Sequence, residues 1–111
     1  MSLKVILHPD AEDDLSRIFK KDRESYRRIT NSLQRYAESG TGDVRVVMGA
    51  KKPGERPLLA LVVGKRWWRV FFSIVDEAMY VVHIERRPAA YQPWIVDAAR
   101  RKLRRYGVDA P

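Results

Sequence analysis

Residues 58–91 read LLALVVGKRWWRVFFSIVDEAMYVVHIERRPAAY, and the periodicity of this stretch leaves few folds open. Apolar and β-branched residues come in runs of strand length, broken at Gly64-Lys65 and at Asp76-Glu77-Ala78, the pattern of adjacent antiparallel strands joined by tight turns. In Trp67–Val75 one parity (Trp68, Val70, Phe72, Ile74) is wholly apolar and turns inward, whereas Trp67, Arg69, Phe71 and Ser73 take the other side. In Met79–Arg87 the inward set is Tyr80, Val82 and Ile84, opposite His83, Glu85 and Arg87. Paired residues share a face, so a three-residue turn at Asp76-Glu77-Ala78 sets Phe71 opposite His83, Arg69 opposite Glu85 and Trp67 opposite Arg87. Gly64-Lys65, glycine first, suits a two-residue hairpin turn. Leu59, Leu61 and Val63 then face the core, while Leu58, Ala60 and Val62 join an open face.

The flanking segments supply the other layer. Leu3–Leu7 is a short β-rich run ending at His8-Pro9, and Pro9 suits a first helical position. Asp10, Glu12, Asp13 and Asp14 follow where a helix dipole favours negative charge, and Ala11, Leu15, Ile18 and Phe19 form an apolar stripe. Asp22 caps a second helix, with Tyr26, Ile29, Leu33, Tyr36 and Ala37 on its apolar side and Ser39-Gly40 as its stop. From Gly40 to Pro57 the chain is a glycine- and proline-rich connector in which Val44–Met48 suits a short strand and Lys51 and Lys52 stand exposed. Pro93 opens a last helix whose apolar side (Trp94, Ile95, Ala98, Ala99, Leu103, Tyr106) docks on the domain or on a partner. The expected architecture is α+β: an N-terminal strand, a helical hairpin packed on an antiparallel sheet of three to four further strands, and a C-terminal helix. Residues 1–111 form one domain, with 92–111 a helical extension.

Composition narrows the setting. The absence of cysteine excludes disulfides and thiolate metal sites, and no metal or cofactor is expected. No apolar run nears the ~20 residues of a membrane span, and the N-terminus lacks the pattern of a signal peptide, so a cytoplasmic protein with no membrane partner is expected. Residues 1–43 hold 8 Lys/Arg against 8 Asp/Glu, so the net charge of +8 belongs wholly to residues 44–111. Charge segregated in this way suits a polyanionic partner, nucleic acid or an acidic protein.

Arginines set between aromatic rings on a sheet face suit phosphates and stacked bases. Arg69 and Arg87 offer bidentate charge for a phosphate, and Trp67, Phe71 and Tyr91 offer rings for a base. His83 and Glu85, two residues apart on one face, suit the acid and base of RNA cleavage. Lys65 and Arg66 at the hairpin tip, Arg86, and Lys51 and Lys52 on the connector complete the candidate RNA contacts. Other readings stay open: a packed His83, a cross-strand Glu85–Arg69 ion pair, Trp67 and Phe71 beneath a partner or the last helix, and a solvated Arg100–Arg105 face.

Trp67-Trp68-Arg69-Val70-Phe71-Phe72, followed by Val81-Val82-His83-Ile84-Glu85-Arg86-Arg87-Pro88-Ala89-Ala90-Tyr91 after a strand and a helical hairpin, resembles the RelE/ParE toxin superfamily over about residues 3–91. The resemblance implies the toxin of a bacterial type II toxin–antitoxin pair, silenced by a cognate antitoxin. RelE-like members are ribosome-dependent mRNA endoribonucleases, and ParE-like members inhibit DNA gyrase. From the RelE-like branch the site positions carry over as Arg69, Arg87 and Tyr91, with a glutamate and histidine pair as in some members. Where that branch has lysines on the preceding strand, this chain has Ala60 and Val62. RNA cleavage, gyrase inhibition and a catalytically decayed RNA- or antitoxin-binding module therefore remain three distinct expectations.

Overall fold

The computed structural model describes residues 2–65, 67–87 and 89–111. Strand β1 (Lys4–Leu7) is followed by helices α1 (Pro9–Lys21) and α2 (Arg23–Ser39). Strands β2 (Asp43–Met48), β3 (Leu58–Val63), β4 (Trp68–Val75) and β5 (Ala78–Arg86) come next, then a 3-10 turn (Ala89–Tyr91) and helix α3 (Pro93–Arg104). The strands form one sheet in the order β1-β5-β4-β3-β2. β2 to β5 are antiparallel neighbours, but β1 joins β5 in parallel, so the sheet is mixed. Among the described residues, no helix is long and apolar enough to cross a membrane.

Local chemistry sets the helix ends. His8 caps α1, its Nδ1 accepting the Asp10 amide at 3.0 Å, with Pro9 at the first position. The Asp22 carboxylate caps α2, accepting from the Ser25 amide at 3.1 Å and the Ser25 hydroxyl at 2.6 Å. Gly40 ends α2 at φ 75°, in the left-handed region where a side chain is strained.

Two apolar clusters lie on opposite sides of the sheet. Ala11, Leu15, Ile18, Ile29 and Leu33 of the hairpin pack on Leu61, Val63, Val70, Phe72, Met79, Val81 and Ile84. Ile95, Ala99 and Leu103 of α3 pack on Leu58, Ala60, Phe71 and Val82. The face expected to be open is therefore covered by the chain's own last helix. Phe71, expected to stack on RNA, has no exposed surface. The physical reason is the apolar parity Leu58, Ala60, Val62 of β3, since a strand apolar on both sides needs cover on both.

The register departs from expectation at both turns. Phe71 pairs with His83 and Arg69 with Glu85, as the parity predicts, but Phe72 pairs with Val81, leaving Val82 as a bulge. The β4–β5 turn accordingly shrinks to two residues, Asp76-Glu77, with Asp76 at φ 53°. Below the bulge the parity of β5 flips: Met79 and Val81 face the hairpin, while Tyr80 and Val82, expected there, face α3. Val63 pairs with Trp68, so four residues separate β3 and β4 where two were expected. One of them, Arg66, a candidate RNA contact, lies outside the described residues.

Candidate functional site

Register places Arg69 in a cross-sheet row with Asp43, Val62 and Glu85, next to a row of Arg45, Ala60, Phe71 and His83. The apolar cluster beneath α3 takes in Ala60 and Phe71 but not the Arg69 row. There the 3-10 turn brings Tyr91 back over the sheet. Arg69 Nε donates to the Tyr91 hydroxyl at 2.9 Å, and Arg69 Nη1 donates to the Trp68 carbonyl at 3.1 Å. The guanidinium also lies 5.6 Å from the Tyr91 ring centroid, and that ring tilts against Phe71 at 5.9 Å.

The geometry corrects the expectation of an outward Arg69. Its residue exposure is only 5%, so it lies beneath the surface, and Tyr91, 42% exposed, is the accessible member of the pair. Because the phenol oxygen accepts from Arg69, its own proton is free to be donated outward. Trp67 at 56% and Trp94 at 68% are the most exposed tryptophans, and Trp94 follows Tyr91 by three residues at the start of α3. Arg87 donates its amide to the Trp67 carbonyl at 2.9 Å and exposes its side chain, so these two neighbour each other as expected.

His83 belongs to a second, connected cluster. Its Nε2 lies 3.2 Å from Glu85 Oε2, and its Nδ1 lies 3.2 Å from Lys102 Nζ. An ammonium only donates, so Nδ1 accepts and the ring proton sits on Nε2, donating to Glu85. Asp14 Oδ2 lies a further 3.7 Å from Nδ1 and accepts the Ile84 amide at 3.0 Å. Lys102 in turn pairs with Asp10 at 3.1 Å, which holds the Asp10 carboxyl below the usual carboxylate range. Both nitrogens of His83 thus have protein partners, Glu85 on one side and Lys102 on the other. Glu85 keeps about a third of its side chain exposed.

The remaining candidates are dispersed. Arg86 lies on the hairpin side of the sheet, 5.4 Å over the Trp68 ring, away from Arg69. Lys65 is exposed at φ 55° in the β3–β4 turn, and Lys51 and Lys52 are exposed on the connector. Among the described residues, no group of three or more His, Cys, Asp or Glu is placed to hold a metal ion.

Sequence reasoning missed three contributors. Asp14, read as part of an acidic first turn, falls in the Ala11, Leu15, Ile18 stripe and is 5% exposed; its position in that stripe was the available signal. Lys102 sits on the buried flank of α3 beside Leu103, hidden within a basic run. Arg45 pairs with Ala60, and the Asp43 carboxylate, bonded at 3.3 and 3.4 Å, holds it above the usual arginine range, with the Tyr91 oxygen acting in the same direction.

No protein-family model and no curated protein sequence matches the chain. The structure is similar to a chain of the crystal structure of the archaeal RelE–RelB complex from Pyrococcus horikoshii OT3, with a TM-score of 0.62 and 19% identity. The match covers 79% of this chain and 98% of that one. The hairpin and the sheet therefore share the fold of RelE.

Proposed function

We propose that this protein is the toxin of a type II toxin–antitoxin pair and cleaves mRNA on the ribosome at the Arg69–Tyr91 pair. The observation that carries this reading is the 2.9 Å hydrogen bond from Arg69 to a half-exposed Tyr91, with Glu85 in register beside Arg69. Cleavage by the neighbouring 2′-hydroxyl needs a base for its proton, positive charge at the phosphate and an acid for the departing 5′-oxygen. Glu85, held by His83, takes the proton; Arg87 meets the phosphate from the surface and Arg69 adds charge from beneath; the Tyr91 hydroxyl protonates the leaving oxygen. Trp67 and Trp94 supply the exposed rings for bases, in place of Phe71. The RelE-like fold and the mainly basic second half of the chain agree with an acidic antitoxin as the silencing partner.

The test is primer extension on a reporter transcript after brief induction. Cuts within coding frames are expected, and Arg69→Ala or Glu85→Gln should reduce them by at least ~100-fold, the usual yield of one charge-stabilising or proton-transferring group. Cleavage that survives Arg69→Ala unchanged sinks the assignment.

A second reading, gyrase inhibition, is favoured by one observation: Ala60 is fully buried and Val62 half-buried on the strand beside Arg69, so neither offers a proton-transferring group. It predicts intact mRNA on induction and loss of supercoiling by purified gyrase in the presence of the protein.

A further inference from the structure

A cleft of about 470 Å3 opens at the far end of α3, where the β2–β3 connector meets the end of the chain. Its lining includes four basic side chains, Lys51, Lys52, Arg100 and Arg104, against two acidic side chains, Glu55 and Asp109, with Pro111 also on the wall. Both walls are anchored. The Arg56 amide donates to the Asp109 carbonyl at 2.6 Å, Ser73 Oγ donates to the Pro57 carbonyl at 2.7 Å, and Val108 and Ala110 are buried under α3. Cations at the last turn of a helix complement its dipole, which accounts for Arg104. It does not account for Lys51 and Lys52, which arrive from a different element.

Arg100 supplies the second observation. Its Nη1 donates to Asp97 at 3.2 Å, but its Nε is buried with no hydrogen-bond partner among the described residues. The guanidinium keeps its ion pair with Asp97 and about a quarter of its exposure, but a buried N–H without an acceptor is costly, and an acceptor that draws Nε toward the cleft removes that cost. The acceptor that suits several converging cations is an oxyanion able to take more than one hydrogen bond, which a phosphoryl group does.

The cleft also lies along the strand direction from the Arg69 row. β2 runs from Asp43, in the Arg69 row, to Met48, which lines the cleft. Five strand steps span about 17 Å, close to the rise of about five nucleotides in one strand of a helix. We propose that the cleft formed by Lys51, Lys52, Arg100 and Arg104 is a phosphoryl-binding site that holds the backbone of an RNA strand extending from the Arg69–Tyr91 pair. The proposal rests on the RNA reading above for the nature of the strand and not for the chemistry of cleavage.

The test follows Arg100 Nε–H by heteronuclear NMR while the protein is titrated with pyrophosphate or with a short single-stranded RNA. RNA affinity is measured in parallel at several salt concentrations. Both ligands should shift the Arg100 signal. Lys51→Gln, Lys52→Gln and Arg104→Gln combined should lower the salt slope of RNA binding by about 2, at roughly 0.7 per lost phosphate contact. The same change of charge at Lys4, Lys20 and Arg35 should leave the slope intact. A shift with pyrophosphate alone assigns the cleft to a free phosphoryl ligand and overturns the RNA strand. No shift with either ligand, or equal slopes in the two variants, overturns the site. Abolished cleavage in Arg69→Ala with an unaltered Arg100 response supports both readings separately, and absent cleavage in the parent protein fails only the enzyme reading.

Discussion

Asp14 illustrates how one buried carboxylate joins layers that the sequence presents separately. It lies on α1 yet accepts the Ile84 amide of β5, and it also pairs with Arg17 on its own helix. Removing it orphans a backbone donor in a dry site, whereas an amide of the same shape keeps an acceptor there. Asp14→Ala should lose about 1–3 kcal/mol in urea unfolding with an unchanged m value, and Asp14→Asn should lose less. Equal losses would mean that the Ile84 bond contributes nothing. At this scale Arg69, Glu85 and His83 were legible from strand parity, because pairing follows from burial of alternate residues. The partners of His83 were not, since Lys102 and Asp14 reach it from two helices and nothing in the β5 sequence specifies a contact across layers.

Among elements, α3 decides most of what the sequence left open. An amphipathic helix has the same apolar stripe whether it covers its own sheet or a partner, and only the doubly apolar β3 pointed to the former. The Val82 bulge was hidden for a related reason. A two-residue turn with Asp76 in the left-handed region and a three-residue turn both keep apolar residues inward over part of β5, because that strand is apolar at both parities from Met79 to Val82. The junction of α1, α3 and β5 is also where pH acts. Burial is the main cause that lowers the His8 pKa; Asp10 opposes it, while Lys102 and Arg105 assist. The unfolded chain protonates His8 near 6.5 and the folded one only at lower pH, so across that window the unfolded state binds more protons. This share of stability is complete above that window and is lost as pH falls through it. His8→Asn keeps an acceptor at the cap and should flatten the dependence of unfolding free energy on pH between about 5 and 7 relative to the parent protein. Parallel curves for the two proteins would show that His8 titrates alike in both states.

The molecule as a whole is three layers, hairpin, sheet and α3, so its central strands have no solvent face over most of their length. Phe71, fully buried between β-strands and α3, tests the outer layer. Phe71→Ala should cost about 3–5 kcal/mol in denaturant unfolding, whereas Trp94→Ala on the exposed side of the same helix should stay within about 0.5 kcal/mol. A small loss at Phe71 would indicate that α3 is not docked in solution. The parallel pairing of β1 with β5 bears on how such a chain is made. Residues 4–7 have no sheet neighbour until residues 78–81 follow them. Loop closure over that separation is slow compared with hairpin formation, so β2 to β5 zip up first and the leading strand is laid on last. The β1 edge of the sheet is thus completed only after β5 has formed, and a chain that stops before β5 can lay α2 on β3 but leaves α1 without the strand it mainly packs on.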